Sequence, residues 1–191
     1  WAYFSNCLNT NANTFTANAG VFGKVYFPRL VTPISNVIST VIRFFIQMIL
    51  VMGFLLYYLF RGEIAPHWGA WLVIPMELLH MGILGMGCGI IISSLTTKYR
   101  DLTVLVGFGV QLWMYLTPVV YPLSTVGAGW KHTALCLNPV TSSVELMRYA
   151  ILGQGSLSWG YYGLSWLVTV LVAVVGIMIF NKVERTFMDT V

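Results

Sequence analysis

Long apolar blocks separated by short polar breaks dominate the chain. Four of these blocks occupy residues 34–60, 68–95, 102–121 and 157–180. About 20 helical residues, rising ~1.5 Å each, cross a hydrocarbon layer roughly 30 Å thick. Each block therefore predicts a membrane-spanning helix. Arg61, Gly62, Glu63 and Pro66 close the first block, Lys98-Tyr99-Arg100-Asp101 the second, Pro122 the third, and Lys182, Glu184 and Arg185 the fourth. The fold class that follows is all-α and integral to the membrane, a polytopic helical bundle.

The segments between the blocks carry their own pattern. Residues 1–20 open with Trp1–Phe4 and continue polar but uncharged, with Asn6, Asn9, Asn11, Asn13 and Asn18. They predict either a helix leaving the membrane or a loop. Residues 21–33 combine Lys24 and Arg29 with prolines and aromatic residues, which predicts a short interfacial elbow. Residues 122–156 are too long for a simple turn. Within them Asn138-Pro139 signals a helix start and Gly153 a stop, with Val140, Val144, Met147 and Ile151 as an apolar stripe. That helix would be roughly 21 Å long, too short to span. The expectation is a re-entrant or interfacial hairpin on the outer face. Such backbone is tolerated at membrane depth only inside protein or along a cavity, which points to a pathway or gate.

Composition supports the membrane reading. Apolar residues make up 58% of the 191 and charged residues only 8%, against roughly a quarter charged in soluble domains. A soluble chain this short would leave much of that apolar surface in water. Grouped by alternating sides, Lys24, Arg29, Lys98, Arg100, Lys182 and Arg185 oppose Arg61, Lys131 and Arg148. The positive-inside rule places the first group in the cytoplasm. The basic residues are dispersed, which excludes a nucleic-acid footprint. Cys7, Cys88 and Cys136 have no metal-ligand or CxxC spacing. His67, His80 and His132 are isolated from one another, and Gly23-Lys24 lacks the rest of a phosphate-binding loop, so neither catalysis nor ATP hydrolysis by that route is expected in this chain. Trp1 in place of an initiator Met predicts an N-terminal truncation.

Ionisable and aromatic residues inside the spans are the candidates for function. Asn36, Thr40, Arg43 and Gln47 share one helical face, as a conduit wall or with Arg43 snorkelling to the interface. Glu77 and His80 share a face at i, i+3, as a proton relay, a vestibule lining or a structural pair. Gly85 and Gly89 form GxxxG, which predicts an intimate helix neighbour within the subunit or across a dimer. Phe108, Trp113, Tyr115 and Tyr121 read as a lipid-facing belt or as a stacking surface for sugar rings.

Several motifs in order resemble the permease subunits of type-2 ABC exporters that move O-antigen, capsular polysaccharide or teichoic acid. They are Lys24-Val25-Tyr26-Phe27-Pro28-Arg29, Lys98-Tyr99-Arg100-Asp101, Gln111-Leu112-Trp113 and Thr117-Pro118-Val119-Val120-Tyr121-Pro122, then Leu137-Asn138-Pro139, Glu145, Arg148, and Glu184-Arg185-Thr186-Phe187 with Asp189. The resemblance implies six spans per subunit, with residues 1–20 the end of a preceding span and 181–191 a cytoplasmic tail. It implies a homodimer in the bacterial cytoplasmic membrane, a separate ATP-binding subunit holding ATP and magnesium, and no cofactor in this chain. It also implies that the elbow at Lys24, Tyr26, Phe27, Pro28 and Arg29 lies close to the ATPase contact, and that the external segment with Asn138, Pro139, Glu145 and Arg148 gates the exit. An acidic residue is common in that family near the position of Arg43, a departure here. The expected substrate is a lipid-linked polysaccharide, passing conduit candidates Arg43, Gln47, Glu77, His80, Trp113, Tyr115 and Tyr121. Export of a drug or small lipid is the alternative within the class. A membrane-embedded acyltransferase is the alternative outside it, and the His or acid constellation it needs is missing.

Overall fold

The computed structural model describes residues 1–22, 30–96, 101–127, 129–155 and 158–188. Among the described residues the chain is helical and has no strand. The helices are α1 (Ala2–Ala12), α2 (Thr14–Phe22), α3 (Val31–Phe60), α4 (Ile74–Thr96), α5 (Leu102–Leu116), α6 (Trp130–Leu137), α7 (Pro139–Leu152) and α8 (Trp159–Met188). Short 3₁₀ turns at Trp68–Val73 and Leu123–Thr125 complete the path. Among the described residues three stretches are long and apolar enough to cross a membrane: Val31–Phe60, Trp68–Thr96 and Trp159–Val183.

Helix α4 is the axis of the bundle, with α1 on one side and α8 on the other. Glycines make this possible. A Cβ at Gly85 would sit 2.8 Å from the Cys7 Cβ, and one at Gly89 would sit 2.7 Å from the Leu8 carbonyl oxygen. The neighbour that GxxxG predicted is thus α1, within the same chain. On the opposite side Gly87 meets the backbone of Ala173, and a Cβ at Gly176 would lie 2.9 Å from the Gly87 carbonyl oxygen. Phe4, Leu8, Leu84, Val110 and Val140 form the main apolar core, and Phe15, Ile90 and Phe180 a second one.

The asparagine-rich start is helical because its side chains turn back on their own backbone. Asn11, Asn13 and Asn18 donate to the carbonyls four residues earlier, at 2.9, 3.0 and 2.9 Å. Asn13 is the break between α1 and α2. The Asn11 side-chain oxygen also accepts from Asn36 at 3.2 Å, tying α1 to α3.

Three of the described elements differ from the pattern of apolar residues. The third block runs to Tyr121, but its helix ends at Leu116 and is ~22 Å long. Pro118 forces the residue before it out of the helical region, and Thr117 has φ −102° and ψ 138°. The last helix does not stop at Phe180 but continues to Met188, because Lys, Glu and Arg are good helix formers. The second block is divided into a 3₁₀ turn and α4 just before Pro75.

Candidate functional site

Within residues 122–156 the structure has the helices α6 and α7, joined at Asn138 and packed on each other, and α7 has the expected termini. The Asn138 side chain accepts from the Val140 N–H at 3.2 Å, Pro139 is the first helical residue, and Gly153 adopts φ 70°. A side chain at Gly153 would strike the Ala65 carbonyl, so glycine is required there for space as well as conformation.

Asn138 also reaches away from its own helix. Its oxygen accepts from the Trp113 indole N–H at 3.3 Å, and its amide donates to the Thr117 hydroxyl at 2.9 Å. Thr117 in turn donates to the Trp113 carbonyl at 2.9 Å. One side chain thus joins the end of α5 to the start of α7. A second tie lies about two to three turns further along α7. Arg148 pairs with Glu145 and donates to the carbonyls of Pro118 and Val119 at 3.0 and 3.2 Å. Glu145 accepts from the Leu123 N–H at 3.2 Å. The chain between α5 and the second 3₁₀ turn is therefore strapped to α7 by a charge pair that leaves few polar groups unmatched. The far end of α7 is covered as well. His67 stacks on Tyr149 at 4.3 Å, and the Trp71 indole donates to the Ala150 carbonyl at 3.1 Å.

A second polar cluster lies deeper, around His80, which is fully buried. Its Nε2 faces the hydroxyls of Thr169 and Ser165 at 2.9 and 3.2 Å, and its Nδ1 faces the Ser143 hydroxyl at 3.0 Å. Ser165 already donates to the Pro139 carbonyl at 2.6 Å and Thr169 to the Ser165 carbonyl at 2.9 Å. Both hydroxyl protons are spent, so Nε2 carries a hydrogen and donates to both oxygens. The imidazole joins α4, α7 and α8, and its face stacks on Trp166 at 4.5 Å. Glu77 is buried beside it, with a carboxylate oxygen 3.8 Å from Nδ1.

The other candidates separate. Thr40 is buried and Asn36 is bonded to α1, whereas Arg43 and Gln47 are exposed. The single polar face expected on α3 is divided, because α1 lies beside α3 from Asn36 only to about Phe44, which meets Tyr3. Trp113 is half-buried against Trp1 and Phe4, while Tyr115 and Phe108 are exposed. The Tyr121 hydroxyl is 3.5 Å from the Tyr115 carbonyl. Among the described residues no three His, Cys, Asp or Glu side chains are placed to hold a metal. Burial, and then the Glu145 carboxylate, pushes the Cys136 thiol up.

Comparison with known proteins bears on the same residues. The family model described as "ABC-2 type transporter" matches residues 3–152, which include α1 and run through α7. The chain belongs to the ABC-2 type transporter family. It is similar to two proteins of Klebsiella pneumoniae named "O-antigen export system permease protein RfbA", at 29% identity over 189 residues, covering 99% of this chain and 71% of each relative. A protein of the same name from Myxococcus xanthus is 28% identical over 145 residues, covering 74% of this chain and 53% of that relative. As an ABC-2 family member the chain is a multi-pass membrane protein of the cytoplasmic membrane and a transport subunit.

Of the motifs first noted in the sequence, those of this ABC-2 chain from Trp113 to Arg148 meet in one network. Lys24, Tyr26, Phe27, Pro28, Arg29, Lys98, Tyr99 and Arg100 lie outside the described residues, as does Asp189. Asp101 is exposed at the start of α5. Ser143, Ser165, Thr169, Tyr162 and Trp166 were not apparent as site residues. Their signal was spacing: Tyr162, Ser165, Trp166 and Thr169 fall at i, i+3, i+4 and i+7 on an otherwise apolar helix.

Proposed function

We propose that this chain is the membrane-spanning subunit of an ATP-driven exporter of lipid-linked polysaccharide of the O-antigen type. The observation that carries the reading is the tie from Trp113, Thr117 and Pro118 to Asn138, Glu145 and Arg148. It turns the α6–α7 hairpin and the end of α5 into one unit, in a chain similar over nearly its whole length to permeases named for O-antigen export. A hairpin too short to cross the membrane but held as a unit has the form of an exit gate.

In this reading an ATP-binding subunit docks at the elbow around Lys24–Arg29 and at the loop ending in Asp101, and a second copy of the chain completes the conduit. Binding of ATP and magnesium in that partner moves the helix ends. Basic groups near the cytoplasmic mouth receive the pyrophosphate of the lipid carrier by charge-assisted hydrogen bonds. Exposed Tyr115 offers an apolar plane to sugar rings.

The test is complementation. The chain, expressed with its neighbouring ATP-binding subunit in a strain lacking its own O-antigen permease, restores surface glycan, and Asn138→Ala reduces it. Absence of surface glycan with normal membrane levels of the wild-type chain rejects the reading. Co-purification with an ATP-binding subunit in mild detergent checks the partner independently.

A further inference from the structure

The outward face of α1 is unlike those of the long apolar helices. Helix α3 exposes Ile38, Ile42 and Ile49, α5 exposes Val104, Phe108 and Leu112, and α8 exposes Leu167, Leu171 and Val174. Such faces suit lipid tails. Helix α1 exposes no large apolar side chain. Its Tyr3, Phe4, Cys7 and Leu8 are buried. On its other side Asn6, Asn9, Asn13 and Thr16 follow at spacings of 3, 4 and 3, and Thr10 falls on the same face. Both threonines are exposed and the three asparagines half-buried. The face runs from α1 into α2 and carries no charge.

Helix α4 fixes this face at membrane depth. A Cβ at Gly82 would lie 2.8 Å from the Tyr3 hydroxyl and one at Gly89 would lie 2.5 Å from the Asn11 Cβ, while Thr96 bonds to the Ala12 carbonyl. Helix α1 thus runs beside the half of the span Trp68–Thr96 that ends at Thr96. Amides and hydroxyls turned toward hydrocarbon there would give up water for nothing. Their own helix takes up only part of their bonding. Asn9 donates to the Ser5 hydroxyl at 3.3 Å and Asn13 to the Asn9 carbonyl at 3.0 Å. Thr10 and Thr16 donate to the carbonyls of Asn6 and Asn13 at 2.7 and 3.1 Å. The threonine oxygens are left as acceptors, and Asn9 and Asn13 each keep a carbonyl oxygen and a second amide hydrogen. What lies against such a face must offer donors and acceptors at close intervals. Water and sugar hydroxyls do so; lipid tails and an apolar helix do not.

We propose that Asn6, Asn9, Thr10, Asn13 and Thr16 form a wall of a water-filled path, and that their amides and hydroxyls bind the sugar hydroxyls of the passing chain. From Asn6 to Thr16 the wall is ~15 Å long, about half the hydrocarbon thickness. Its neutrality has a use. Neutral hydrogen bonds have about half the strength of charge-assisted ones, so one hydroxyl replaces the next without a deep trap along the way. The identity of the cargo rests on the proposed function. That the face is wet rests on the packing of α1 along α4 and on the side chains it turns outward.

The test uses the permease with its ATP-binding partner in lipid nanodiscs and a charged, membrane-impermeant thiol reagent. The wild type, with Cys7 and Cys136 buried, is the blank. Asn9→Cys and Asn13→Cys are expected to react about tenfold faster than Ile42→Cys and Leu171→Cys, because a charged reagent is excluded from hydrocarbon. Equal rates at the four positions overturn the proposal. So does protection of Asn9→Cys and Asn13→Cys in folded protein that reacts fully once unfolded, since lipid or another helix then covers the face. In the complementation strain Asn9→Leu and Asn13→Leu each lower glycan export about fivefold, the worth of one hydrogen bond. Asn9→Gln and Asn13→Gln retain it. The unfolding temperature of the leucine variants is expected to hold, since leucine is the better helix former. Unchanged export in both leucine variants overturns the contact with sugar, and so does a loss of export matched by a lower unfolding temperature. Failure of the wild type to export glycan rejects the proposed function and leaves the labelling as the test.

Discussion

The two polar clusters differ in what organises them. At the hairpin, Asn138 uses both ends of its amide, and Arg148 is shared among a carboxylate and two carbonyls. Around His80, three hydroxyls converge on one imidazole, and a Glu77 carboxylate oxygen lies 3.8 Å from its Nδ1. A closed network fixes one geometry, because any departure leaves a charge or an amide unmatched in a low-dielectric setting. At His80 one ring nitrogen shared between two hydroxyls ties α4 to α8 through bonds without a charged partner, each worth less than the charge-assisted bonds of the hairpin.

The largest test of that contrast is Arg148→Ala. It strands Glu145 and two carbonyls, and a loss of about 3–5 kcal/mol is expected from breaking a buried pair. The loss is read as little folded protein after detergent extraction. Replacing both partners by apolar residues, Glu145→Leu with Arg148→Met, costs less than either single change. If the single and double variants are equally damaged, the pair does not act as a strap. Next comes Asn138→Ala, which removes a helix cap together with two ties to α5. About 1–2 kcal/mol is expected, visible as a lowered unfolding temperature. Thr169→Val removes one of two acceptors from His80 and should cost about 1 kcal/mol. The smallest effect concerns Cys136. A thiol pushed up by burial and by Glu145 holds less thiolate at neutral pH. Maleimide labelling at pH 7 should therefore be slower than for a free thiol and accelerate as pH rises.

Much of the fold could be read in the sequence, and the exceptions have physical causes. The α7 helix follows from Asn138, Pro139 and Gly153, since capping and backbone chemistry are local. The close neighbour of α4 follows from its glycines, although choosing α1 as that neighbour required three dimensions. The end of the third helix was misplaced because hydropathy continues to Tyr121 while Pro118 acts on Thr117. The stripe Val140, Val144, Met147 and Ile151 describes one side of α7, but Thr141, Ser143 and Glu145 are also buried, since α7 is surrounded by α4, α8 and the end of α5. Glu77 and His80 stood out as ionisable groups in a span. Their partners are hydroxyls and aromatic residues too common in such helices to stand out singly.

The glycine seam between α1 and α4 has a mechanical consequence. Where Gly85 and Gly89 meet Cys7, Leu8 and Asn11 there is no side chain to bend or re-rotamerise, so the pair transmits displacement as a solid rod does, without slack. Thr96, bonded to the Ala12 carbonyl, fixes the base of that rod to the end of α1, and Phe15, bonded to Ser93, fixes it to α2. Helices α1, α2 and α4 therefore form one stiff unit, against which the largely exposed α3 packs lightly.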